Sequence, residues 1–66
     1  MYDMPKFKIT ANFYCELITD WNHARDEHES KRFFINKLAI KLGRTAGSLR
    51  NYFAYKDNIK IELIEE

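Results

Sequence analysis

Cysteine, proline and glycine are nearly absent from this 66-residue chain, which has one Cys, one Pro and two Gly. The lone Cys15 excludes an internal disulfide framework and fits a reducing compartment. No apolar run approaches the roughly twenty residues that cross a membrane. Met1 leads into Tyr-Asp-Met-Pro-Lys, not into a basic segment and an apolar core, so no signal peptide is expected and the protein is expected to be cytoplasmic. Phosphate-binding loops, dinucleotide glycine patterns, GxSxG, CxxC and HExxH are all missing. His23 and His28 lie near Cys15, Asp26 and Glu27, but their spacing matches no established helical ligand pair. The expectation is therefore no metal, no cofactor and no enzymatic activity.

Aromatic residues, in contrast, are plentiful: five Phe, four Tyr and one Trp. A single domain of this size buries only about 60% of the surface its unfolded chain exposes, so each large ring matters. Net charge is +1, but it is unevenly spread. Residues 1–29 hold three basic and six acidic side chains, net −3; residues 30–60 hold eight basic and one acidic, net +7; residues 61–66 add three glutamates.

The basic segment contains the most regular pattern in the chain. Phe34, Ile35, Leu38 and Leu42 recur at helical spacing over Lys31–Leu42, with Ala39 at the margin and Ser30 placed to cap the start. Gly43 follows as a left-handed helix stop, and Thr45 is placed to cap a second helix whose buried side is Leu49, Tyr52 and Phe53. Ala39 supplies the small residue that two crossing helices need. Over about twenty of the 66 residues, Ile35–Ala54 resembles the helix-turn-helix of DNA-binding proteins, whose second helix enters the major groove. The words Leu-Gly-Arg-Thr-Ala-Gly-Ser-Leu are similar to Gly-Arg-Thr-Pro-Gly-Ser-Val, a pattern of Myb-like tri-helical modules and of helical segments preceding some HNH endonucleases. Ala46 replaces the proline of that pattern, and no nuclease motif follows. The resemblance implies nucleic-acid binding without cleavage.

If the second helix spans about 46–55, 100° per residue turns Gly47, Asn51 and Ala54 outward, with Ser48 and Tyr55 on one side and Arg50 on the other. Arg50 and Asn51 have the chemistry for base edges, Arg to guanine and Asn to adenine. Arg44 and the backbone N–H groups near Thr45 suit a phosphate, and Lys37, Lys41 and Lys56 suit flanking phosphates. The predicted DNA-binding set is Lys41, Arg44, Thr45, Gly47, Ser48, Arg50, Asn51, Tyr55 and Lys56.

Outside this motif, Lys6–Thr10 alternates like a short strand, and Ile59–Leu63 does the same. The two are expected to pair with lysines facing glutamates; a helix through Ile59, Leu63 and Ile64 is the alternative. From Asn12 the pattern reads as a helix, capped by Thr10 or Asn12 and ending between Trp21 and Arg25, with Phe13, Leu17, Trp21 and Ala24 as a core stripe. Asp26–Glu29 reads as a connector. Phe33 and Ile40, seven residues apart, form a second apolar strip on the next helix.

The expected fold is thus mainly α: a three-helix helix-turn-helix domain over residues 1–66 with short terminal strands. The expected function is sequence-specific DNA binding as a small dimeric regulator of bacterial or phage type. A rival function is a protein-interaction module that binds its partner through Phe33, Ile40 and the C-terminal strand.

Overall fold

The computed structural model describes residues 4–64. Met1–Asp3 and Glu65–Glu66 lie outside the described residues, and with them the first residues of the leader reading and two of the three C-terminal glutamates. The chain folds as β1 (Lys6–Phe13), β2 (Glu16–His23), α1 (Glu27–Leu42), α2 (Ala46–Tyr52), a 3-10 turn (Lys56–Asn58) and β3 (Ile59–Ile64). The three strands form one antiparallel sheet in the order β2-β1-β3. Both helices pack on one face of it.

This corrects the three-helix expectation. Described residues are 43% helical and 36% strand, with two α-helices and a three-stranded sheet. The expected first helix is instead a β-hairpin, so Thr10 and Asn12 lie inside β1 and cap nothing. The cause of the misreading is arithmetic. A spacing of four residues keeps side chains on one face of a helix, but four is also even, so it does the same along a strand. The hairpin then breaks the stripe in two. Phe13 closes against Glu16 across a two-residue turn, which puts Phe13 on the helix-covered face and Leu17 and Trp21 on the open one. Leu17 is 71% exposed and Trp21 49%, not buried as the helical reading required. Ala24 alone of that expected stripe is fully buried outside the sheet, its N–H bonded to the Pro5 carbonyl.

The turn itself is unusual. Tyr14 and Cys15 both have positive φ, 51° and 67°. A two-residue hairpin of type I′ needs this at both positions and normally recruits Asn-Gly, because a left-handed L-residue costs roughly 1–2 kcal/mol. Here tertiary contacts offset the strain. The Tyr14 N–H donates to the Tyr52 hydroxyl at 2.9 Å. The rings of Phe13 and Tyr14 lie 5.0 and 4.9 Å from the Tyr52 ring.

The second correction is the start of α1, four residues earlier than Lys31. Asp26 caps it, accepting the Glu29 N–H at 2.8 Å, and Glu27 and Glu29 place negative charge at the positive end of the helix dipole. Ser30 is not a cap; it is fully buried one turn in. Its hydroxyl donates to Asn22 Oδ1 at 2.6 Å, and Asn22 Nδ2 donates back to the Ser30 carbonyl at 3.0 Å. That reciprocal pair fastens β2 to α1.

From Gly43 to Thr45 the structure follows the expectation. Gly43 takes the left-handed conformation, φ 67°. The Arg44 N–H bonds the Ala39 carbonyl at 2.9 Å and the Gly43 N–H bonds that of Ile40 at 3.4 Å, a Schellman stop. Thr45 Oγ1 then accepts the Ser48 N–H at 3.2 Å. Ile9, Ala11, Phe34, Ile35, Leu38, Ala39, Leu49 and Phe53 make the buried cluster. Leu42, expected on the inner stripe, is exposed, and Phe33 and Ile40 face solvent as a strip on α1, Ile40 at 84%.

The strand reading of residues 59–64 also holds, and Lys8 stands opposite Glu62 as expected for the terminal pair.

Candidate nucleic-acid interface

α2 is two turns long and ends at Tyr52, three residues short of the expected end. Ala54 and Tyr55 fall in the following turn, held by Asn58 Nδ2 donating to the Tyr52 carbonyl at 3.1 Å. Leu49 and Phe53 anchor the element in the core, which leaves Ser48, Arg50, Asn51 and Tyr55 exposed and Gly47 half-buried. Arg50 runs back along the helix; its guanidinium lies 3.8 Å from where a Cβ on Gly47 would stand.

The nine predicted residues do not line one concavity. Arg50 joins His28, Lys31, Arg32, Ile35, Asn36 and Ala54 around a concavity of about 360 Å³ between α1 and the end of α2. A neighbouring groove, lined by Glu27, His28, Lys31, Phe53, Ala54, Lys56, Ile59 and Ile61, continues it to the inner face of β3 and carries one carboxylate. Lys41 is on the other flank of the α1 buried stripe, in a depression with Ile18, Asp20 and Lys37. Arg44 is drawn to the hairpin tip, its guanidinium 5.6 Å from the centre of the Phe13 ring. Thr45 uses its hydroxyl as a cap.

The sequence pattern does not single out Lys31, Arg32, His28 and Asn36 for this site. The only signal for Lys31 and Arg32 is the basic excess of residues 30–60, which gives a count and no direction, and His28 and Asn36 have none. The first concavity has three permanent cations on its wall and no carboxylate.

Ion pairing sharpens this asymmetry. Lys31, Lys41, Arg50 and Lys56 have no ion pair among the described residues. Three carboxylates near these cations, in contrast, are engaged within the fold. Asp20 pairs with Lys37 at 3.0 Å and Asp26 caps α1. Glu29 accepts the Arg25 backbone N–H and the Arg25 Nε–H, both at 3.0 Å, with Arg32 farther off at 3.7 Å. The Arg25 backbone hydrogen bond, then its side chain, hold the Glu29 carboxyl below the usual glutamate range. Lys31 and Arg50 have no ion pair among the described residues and the first concavity has no carboxylate on its wall, which favours an anionic ligand there.

His23 turns Nδ1 to the Met4 carbonyl at 3.1 Å, and His28 lines the basic groove. Among the described residues no three His, Cys, Asp or Glu side chains gather as a metal site, and no helix is long and apolar enough to cross a membrane. Comparison with protein-family models, curated proteins and solved structures returns no match.

Proposed function

We propose that this protein binds double-stranded DNA through α2 and the basic groove beside it, as a small cytoplasmic regulator acting without enzymatic chemistry. The observation that carries the reading is the convergence of Arg50 with Lys31 and Arg32 on one carboxylate-free concavity next to exposed Asn51. Lys31, Arg32 and Lys56 are placed to meet phosphates, which position a duplex without reading it. Arg50 and Asn51 are the groups with base-reading chemistry. Lys41 and Arg44 take a lesser part, because they lie off this groove. Two copies on a two-fold operator would double the modest contact area of one such domain.

The test is binding to mixed and selected duplexes across a salt series. Affinity should fall steeply as salt rises, since each neutralised phosphate releases counterion. Lys31→Ala should weaken binding alike on all sequences and flatten the salt slope by about one unit. Arg50→Ala with Asn51→Ala should cost roughly 1–3 kcal/mol per lost base contact on the best duplex and relax its preference, with folding intact. No binding at low salt would sink the proposal. The rival reading, a protein-interaction module, has its own observation in the exposed Phe33–Ile40 strip. A polar residue at Ile40 that abolishes a protein complex, with no DNA binding by the wild type, would establish that rival.

A further inference from the structure

The sheet has two open edges, and they are built differently. On β2, Asp20 Oδ1 accepts the Trp21 N–H at 2.9 Å, so a side chain of the same strand covers that edge donor. On β3 no side chain does this among the described residues.

Which groups β3 offers follows from the ladder. The Trp21 N–H turns away from β1, so Lys8 and Trp21 form a non-hydrogen-bonded pair. Along the central strand such pairs alternate between neighbours, so Lys8 exchanges its backbone bonds with Glu62 on the other side. Ile59, Ile61 and Leu63 are then the β3 residues whose backbone groups face the open edge. The Ile59 N–H is bonded to the Lys56 carbonyl, which leaves its C=O on offer with both groups of Ile61 and Leu63.

We infer that β3 pairs antiparallel with β3 of a second copy of this chain, in the register that places Ile61 opposite Ile61. The sequence about that residue, Ile59-Lys60-Ile61-Glu62-Leu63, is complementary to its own reversal. In this register Ile59 of each copy faces Leu63 of the other on the helix-covered side of the sheet, and Lys60 of each faces Glu62 of the other on the open side. The same odd-numbered residues that turn their backbone groups outward become the hydrogen-bonded pairs. A shift by one residue would set apolar side chains against charged ones and misplace the bonding groups. Leu63, 54% exposed in the single chain, gains a neighbour. The two-fold axis of such a pair runs perpendicular to the sheet, so the helix layers of both copies lie on one side. That is the disposition two recognition elements need to meet one duplex. The pairing itself does not rest on the DNA reading and is measured without DNA.

The experiment is sedimentation equilibrium of the full chain from about 1 µM to 1 mM, the range of weak to moderate association. The wild type should pass from one to two chains in mass. Lys60→Glu alone sets Glu against Glu, and Glu62→Lys alone sets Lys against Lys; each should remain monomeric. An equal mixture of the two should recover a dimer, because every pair is then opposite in charge. Leu63→Pro removes an edge-facing N–H together with a side chain that is 54% exposed, and should also give a folded monomer by circular dichroism. That variant keeps the test open if the Glu62→Lys change disturbs the pairing with Lys8. A wild type monomeric throughout, or dimers that persist equally in all three variants, would overturn the inference. Loss of dimer with DNA binding retained, or the reverse, separates this interface from the groove.

Discussion

β2 and β3 flank the same strand, yet they meet the rest of the molecule in opposite ways. β3 turns Ile59, Ile61 and Leu63 toward the helices and Lys60 and Glu62 to solvent, the usual division for a half-covered sheet. β2 inverts it. Asp20 and Asn22 face the helix layer, and Leu17, Thr19 and Trp21 face out. The inner contacts of β2 are therefore largely specific polar ones, Lys37 to Asp20 and Ser30 to Asn22, with Ile18 as the apolar exception. Apolar burial tolerates small shifts, whereas paired hydrogen bonds fix position. The β2 side of the domain is thus a fastened seam, and the β3 side a packed edge that stays open to association.

The largest expected effect tests that fastening. Ser30→Ala removes the hydroxyl that Asn22 Oδ1 accepts from, at a fully buried site. Leaving the amide short of a partner should cost about 1–3 kcal/mol in urea-denaturation midpoints. A loss no larger than that of an exposed surface change would show that β2 is held by packing after all.

Cys15→Gly acts in the other direction. Residue 15 sits at φ 67°, where glycine meets no Cβ penalty. Stability should rise by about 1 kcal/mol, after allowing for the greater freedom of glycine in the unfolded chain. Thermal melting under reducing conditions measures this as a gain of about 5 °C for a domain this small. A fall would mean that the thiol makes a contact worth more than the backbone strain.

The smallest effect is expected from Glu29, which ties the β2–α1 connector through Arg25. Its folded carboxyl is held below the usual value, so its contribution is present above the unfolded glutamate value and is lost as pH falls through the folded one. Glu29→Gln should flatten the acid limb of the stability profile in that window and leave its slope above it unchanged. Parallel profiles of wild type and variant through the acid range would remove Glu29 from the account.

The same contrast explains what could be read in the sequence. Gly43 and Thr45 act locally, on carbonyls and N–H groups within five residues, so the helix break and the second helix are legible from those residues alone. β3 is legible because it keeps the normal alternation. β2 is not, because its alternation is inverted: Leu17 and Trp21, exposed on the open face, fall at the spacing of a buried helical stripe. The hairpin tip gives no turn signal, since Tyr14-Cys15 is held in place by Tyr52, which is remote in sequence. Asp26 is hidden within an acidic run that reads as connector. Of the candidate groove, Arg50 and Lys56 stand out in the sequence, but Lys31 and Arg32 belong to another helix and join Arg50 only once α1 and α2 have packed.

Topology has a kinetic consequence. β1, the first strand in sequence, is the middle of the sheet, and its partner on one side is the last, with Lys6 paired to Ile64. The hairpin can zip early and the helix pair can form locally, but the sheet cannot be completed until two distant segments find each other. Loop-closure entropy is paid before that contact returns anything, so the rate-limiting search spans nearly the whole described chain. A helical bundle of equal length, built from local contacts, reaches its native state in microseconds to milliseconds. This arrangement places the domain with the slower mixed folds, and during that delay one edge of β1 stands without its neighbour.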